Sequence, residues 1–184
     1  MKLYVMRHGF TKMNKERLYN GLIDEDLIEE GMEDAIKAQQ IVKELKLDVI
    51  YCSPLLRAKH TCDIININNV PVIYEDRLKE RTLGTLDGKD FRKEGLTEEE
   101  FYNYYYKSDV KGFEDLQTVF KRVHSFIDEL KDKDYESVLI VSHGAILRAI
   151  YYYFNEVPED GNTYSKFKSS KNCQINSYDL VWYN

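Results

Sequence analysis

Cysteine is scarce in this chain. Only Cys52, Cys62 and Cys173 occur, an odd number without the spacing of a zinc knuckle. Neither a disulfide framework nor a structural metal is read from them, and they are expected to be buried small apolar residues. Long apolar runs are missing too. The N-terminus, MKLYVMRHGF, is interrupted by Arg7 and His8, too early for a secretory core, and nothing approaches the ~18 apolar residues of a membrane span. Nor is there an excess of positive charge. The 26 basic against 32 acidic residues leave a net charge of −6, which argues against nucleic acid or an anionic membrane as partner of the whole surface. A small basic pocket is untouched by that argument. No repeat, low-complexity tract or linker divides the 184 residues. They make one domain, 1–184, large enough to bury roughly 70% of its unfolded surface without staples. A cytoplasmic location is expected.

What the chain does contain is an alternation of short apolar runs and helical periodicities. Leu3–Met6, Val49–Cys52 and Val138–Val141 are runs of the kind shown by strands buried on both faces. Val70–Tyr74 and Ile175–Trp182 read as further strands. Helical spacing covers 32–45, Phe113–Leu130 and Ala145–Phe154. Ser53-Pro54 reads as an N-cap and first turn of a helix reaching Ile65, and Thr97 with Glu100 as a capping box. Strands alternating with helices predict an α/β class fold, a three-layer α/β/α sandwich around a mostly parallel mixed sheet.

Three stretches end a predicted strand and open a loop or helix: Arg7-His8-Gly9, Ser53-Pro54-Leu55-Leu56-Arg57 and Ser142-His143-Gly144. In open α/β sheets, ligands bind beyond the carboxyl ends of the strands. Two histidines and two arginines are thereby brought to one sheet edge, where unneutralised cations repel. A phosphoryl group fits best, because guanidinium forks match its oxygens and a neutral imidazole can attack phosphorus.

Arg7-His8-Gly9-Phe10-Thr11 with Asn14 resembles the signature of the histidine phosphatase superfamily, also called phosphoglycerate mutase-like. The resemblance continues through Gly21–Asp24, Leu27, Gly31, Tyr51–Ala58 with Thr61, Leu78-Lys79-Glu80, Gly84, Gly88 and Ser142–Gly144 with Arg148, in order over most of the chain. It implies His8 as a nucleophile that becomes a phosphohistidine. Arg7, Arg57 and His143 would hold the phosphoryl oxygens, and Glu80 would be general acid and then general base. Asn14 and Thr11 would lie at the pocket wall and the Gly144 amide would add a donor. The implied activity is a metal-independent phosphomonoesterase acting on a small phosphorylated metabolite, with no cofactor. Its partner would be that small-molecule monoester rather than nucleic acid or membrane, and a homodimer is compatible with it. One departure stands out: the family usually places Glu or Gln where this chain has Phe10.

Each residue also has a plainer reading. His60 and His124 lie mid-helix and are expected on helix faces, and Tyr151–Tyr153 in ordinary packing. Asp87 is the nearest substitute for Glu80. Gly84–Asp90 glances at a phosphate-binding loop but is one residue short and lacks Ser or Thr after Lys89. Segment 91–112 is expected to be a lid insertion. Most of Tyr102, Tyr104, Tyr105 and Tyr106 should pack onto the domain while Arg92, Lys93, Lys107 and Lys111 stay solvated, with one or two side chains facing the pocket. A cofactor-dependent phosphoglycerate mutase is the alternative. Arg81 after Glu80 suits it as a substrate-binding residue, but Arg81–Ser142 is compact and more acidic than basic, which favours the phosphatase. A catalytically inactive binding member of the family is the third reading.

Overall fold

The structure is a computed structural model, and it describes residues 1–181. Five strands form one sheet: β1 (Lys2–Arg7), β2 (Val49–Cys52), β3 (Val72–Tyr74), β4 (Ser137–Ser142) and β5 (Ile175–Asp179). The order is β3-β2-β4-β1-β5. The first four run parallel, and β5 pairs antiparallel with β1. Six α-helices accompany them: α1 (Lys12–Glu16), α2 (Glu29–Val42), α3 (Leu56–Ile65), α4 (Glu98–Tyr102), α5 (Leu116–Leu130) and α6 (Gly144–Tyr151).

Strand pleating sorts side chains to alternate faces, and each face has its own core. Leu3, Val5, Tyr51, Val138 and Ile140 meet the apolar stripe of α5 and the inner face of α6. Met6, Ile50, Cys52, Leu139 and Val141 meet Ala35, Ala38 and Val42 of α2 and Ala58, Cys62 and Ile65 of α3. The chain is thus an α/β/α sandwich, and its three cysteines are all buried thiols. No helix among the described residues is long and apolar enough to cross a membrane.

Insertion of β4 between β1 and β2 creates the functional edge. Arg7 stands opposite Ser142, and Cys52 opposite Val141. The chain then leaves the sheet at three neighbouring points, tied by His8 N donating to the Ser142 carbonyl (2.9 Å) and Ser53 N to the Val141 carbonyl (3.0 Å). Close backbone packing holds the loop after β1. A Cβ on Gly9 would lie 2.6 Å from the Gly31 carbonyl oxygen, and one on Gly31 would collide with the Phe10 backbone. Only glycine permits α2 to abut that loop.

Several boundaries differ from the sequence reading. Ser53-Pro54 does not open α3. The cap residue is Leu55 and the helix begins at Leu56, while the Ser53 hydroxyl meets His143 and the Leu55 amide. The long helix starts at Leu116 rather than Phe113, with Asp115 capping it through the Thr118 amide. Helix α1 was not anticipated; Thr11 caps it and a left-handed Arg17 (φ 60°) ends it after five residues. Strand β5 stops at Asp179, and Trp182 lies outside the described residues.

Candidate active site

His8 follows β1 and is 2% exposed. Its Nδ1 lies 2.7 Å from the Gly9 carbonyl oxygen. A carbonyl can only accept, so Nδ1 carries the proton and Nε2 keeps its lone pair. Burial, then the charges of Arg7 and Arg57, hold the imidazole pKa well below the usual histidine range. A neutral, oriented nitrogen base results.

His143, fully buried at the N-terminus of α6, lies beside it with ring centroids 5.0 Å apart. Its Nε2 is 2.7 Å from Ser53 Oγ. Its Nδ1 is buried without a partner among the described residues. Burial, followed by Arg57, His8 and Arg7, pushes its pKa far down as well.

Arg7 projects from the end of β1 and donates through Nη1 to the Ser170 carbonyl (3.2 Å), while its Nε is buried and unpartnered. Arg57 is held more firmly. Its Nη1 donates to Ile23 O (2.8 Å), and its Nη2 to Asn20 O (3.0 Å) and Gly21 O (2.9 Å). Its Nε is buried without a partner among the described residues. Burial lowers both arginine pKa values, an effect opposed chiefly by Glu80. Arg57 is thus left with its Nε–H to offer an anion. The fork itself fastens the 20–23 loop.

Glu80 approaches from the loop after β3. Its Oε1 accepts from Arg81 N (2.8 Å) and from Ala145 N at the start of α6 (3.3 Å). Its Oε2 is 3.8 Å from where a Gly144 Cβ would stand, and Arg7 Nε is 3.9 Å from that same point. Gly144 thus borders both the acid and the cation at ordinary contact distance. The favourable N-terminal end of α6 adds to the positive field around them.

These groups open into a cavity of about 340 Å³ lined by Arg7, His8, Asn14, Glu80, Arg81 and Gly144 from the predicted set. His143 and Arg57 stand behind this lining, fully buried. Thr11 does not line it. Its Oγ1 accepts from Asn14 N and Asn20 Nδ2, both at 3.2 Å, because a buried hydroxyl beside a helix start is drawn to the free amides there. Asn14 keeps a buried, unpartnered Oδ1. Arg81 is 3% exposed. Its Nε and Nη1 donate to Glu114 O and Phe101 O, both at 2.8 Å, leaving Nη2 free, and burial brings its pKa down to about 10.

Among the other candidates, Asp87 spends its carboxylate on Thr82 Oγ1 and Leu83 N, both at 3.1 Å. His60 sits against Asp26, and His124 against the Ala149 carbonyl. In 91–112, Phe91, Phe101 and Tyr102 face the cavity, whereas Tyr104 packs on the main core and Tyr105 is exposed. Three contributors escaped the sequence reading. Asn172 Nδ2 donates to the His8 carbonyl (2.6 Å), the Ser170 carbonyl accepts from Arg7, and Tyr19 lines the cavity wall. Arg148, noted only within the motif, is buried against Tyr102 and holds the Thr163 and Lys168 carbonyls. No signal marks 162–174, which carries neither helical nor strand periodicity. Among the described residues no cluster of His, Cys, Asp and Glu is placed to hold a metal.

The family model described as histidine phosphatase superfamily (branch 1) matches residues 3–181. Phosphoserine phosphatase 1 of Hydrogenobacter thermophilus is 35% identical over 165 residues, covering 82% of this chain and 74% of that protein. A 2,3-bisphosphoglycerate-dependent phosphoglycerate mutase of Parvibaculum lavamentivorans is 32% identical over 174 residues, covering 86% and 81%. The crystal structure of a phosphoserine phosphatase from Entamoeba histolytica in complex with 3-phosphoglyceric acid superposes with a TM-score of 0.80 at 25% identity, covering 97% of this chain and 90% of that one.

Proposed function

The chain belongs to the histidine phosphatase superfamily, and from that membership we propose that it hydrolyses a small phosphate monoester through a phosphohistidine on His8, within one domain that carries 91–112 as its lid. The observation that carries this reading is the state of His8. Its Nδ1 is committed to the Gly9 carbonyl, and its imidazole is kept neutral by burial beside two arginines. An imidazole in that condition presents Nε2 as a nucleophile at the carboxyl edge of the sheet.

In the first half-reaction Nε2 bonds to phosphorus as the P–O bond to the alcohol breaks. Charge gathering on the phosphoryl oxygens meets Nε of Arg7, Nε of Arg57, Nδ1–H of His143 and the Gly144 amide. Such fixed donors are the largest contribution to phosphoryl transfer. Donation by Nδ1 requires that Ser53 Oγ–H point to His143 Nε2, and Ser53 Oγ has no other acceptor among the described residues. Glu80 gives its proton to the departing alkoxide. In the second half-reaction its carboxylate takes a proton from water, the oxygen bonds to phosphorus, the N–P bond breaks and inorganic phosphate leaves. The arginines supply the positive charge that metal ions provide in other phosphotransferases.

The mutase alternative calls for basic anchors for a second anion. None of the basic side chains of 91–112 lines the cavity; Arg92 pairs with Asp90, and Lys107 with Asp115. Hydrolysis is therefore the reading we adopt.

His8→Ala should abolish phosphate release from p-nitrophenyl phosphate. Acid-labile, base-stable phosphoenzyme should be trapped by quenching the native protein with labelled substrate, and not the variant. Turnover retained by His8→Ala, or isomerisation of 3-phosphoglycerate without phosphate release, would overturn the assignment.

A further inference from the structure

Beyond the phosphoryl site the cavity changes character. Its far wall is built from Phe10, Tyr19, Phe91, Phe101 and Tyr102. Tyr19 and Phe101 stack at 5.8 Å with 16° between their planes, and Phe91 joins Tyr19 at 5.8 Å. Phe101 meets Tyr102 edge to face at 4.7 Å. Phe91 is 45% exposed at the lip, a large apolar side chain that the fold itself does not cover.

The cations on this side are largely spent on the protein. Arg148 donates to the Thr163 and Lys168 carbonyls and lies over the Tyr102 ring at 4.4 Å. Arg81 has two nitrogens on backbone carbonyls and its guanidinium lies over Phe113 (4.7 Å) and Phe101 (5.3 Å). Nη2 of Arg81 is the guanidinium nitrogen left without a partner among the described residues. A small hydrophilic alcohol would leave the aromatic wall wet. A flat ring would cover it, gaining both apolar burial and ring–ring contact.

Resting on the phosphatase reading above, we propose that the substrates are phosphate monoesters whose alcohol carries an aromatic ring, with Phe10, Tyr19, Phe91, Phe101 and Tyr102 as the specificity-determining wall. Arg81 Nη2 serves one acceptor on the ring side.

The test compares 2-phenylethyl phosphate with ethyl phosphate. Both release primary alkoxides, so leaving-group chemistry is matched and the ring is the difference. The native protein should favour the phenylethyl ester by about tenfold in kcat/KM, expressed mainly as a lower KM. That ratio should fall below about threefold in Phe91→Ala and in Phe10→Gln. Binding of 3-phenylpropylphosphonate against propylphosphonate, measured by calorimetry, should show the same order in all three proteins. A ratio near or below one in the native protein, or a ratio unchanged in both variants, overturns the proposal. If neither ester is hydrolysed while the phosphonates keep their variant-sensitive preference, the hydrolysis reading falls and the aromatic subsite stands.

Discussion

In the proposed reaction Glu80 has two tasks, and the two oxygens of its carboxyl group are held differently. One oxygen is anchored by the Arg81 and Ala145 amides, and the other is left facing the gap between Gly144 and Arg7. Glu80→Gln keeps the shape and removes the transferable proton. We expect kcat on ethyl phosphate to drop by about 10²–10⁴. The first-step rate on p-nitrophenyl phosphate, whose leaving group needs no proton, should fall far less. A burst of p-nitrophenol followed by slow turnover is the measurement, and equal losses on both substrates would remove the acid role. His8, Arg7 and Glu80 were legible in the sequence because each sits where a strand or its following loop must end. Arg57 was legible as a buried cation but not in its geometry. Which of its nitrogens remains free depends on carbonyls at 20, 21 and 23, which only the folded loop brings near. Thr11 misled for a related reason: a hydroxyl next to a pocket and a hydroxyl capping a helix look alike in one dimension.

At the scale of elements, helix α5 was the most readable part of the chain, since its apolar stripe repeats over 15 residues and is buried throughout. Its start was misplaced by three residues. Phe113 continues the apolar spacing, but it serves Tyr106 and the Arg81 guanidinium instead of the helix. The true start is set by Asp115, whose side chain accepts from Thr118 N at 2.8 Å. Asp115→Ala should cost about 1 kcal/mol, read as a fall of roughly 2–4 °C in the thermal midpoint of a chain this size. Asp115→Asn should recover most of it, because an amide oxygen caps equally well. If both variants lose the same amount, the pair with Lys107 rather than the cap is responsible. The irregular stretch 162–174 lies at the other extreme. It supplies Ser170 and Asn172 to the site, yet its conformation is dictated by Arg148 and the strand edge rather than by any local pattern.

For the molecule as a whole, the site has a cost that varies with pH. His8 and His143 are held neutral in the folded protein with pKa values well below the ordinary range. In the unfolded chain both protonate near pH 6.5. Below that pH the unfolded state binds more protons, so stability is full above about 6.5 and declines as pH falls, by up to about 1.4 kcal/mol per histidine for each pH unit. Denaturant midpoints at pH 7.5 and 5.5 should show the decline, and His143→Gln should shallow it. An unchanged slope would mean that His143 is charged in the fold. The overall sandwich was legible because buried parallel strands announce themselves as apolar runs. The aromatic character of the cavity was legible only in part: side chains of 91–112 were expected at the pocket, but Phe10 and Tyr19 join them from another segment with no shared period. The proposed nucleophile also depends on a segment remote in sequence. His8 is spaced by an Asn172 amide, and Arg7 is gripped by the Ser170 carbonyl and pairs with the Cys173 amide. Contacts that span more than 160 residues of sequence thus hold the backbone at His8 and the Arg7 side chain. Loosening the 170–173 segment should therefore disturb the proposed site, although that segment carries none of the groups assigned to its chemistry.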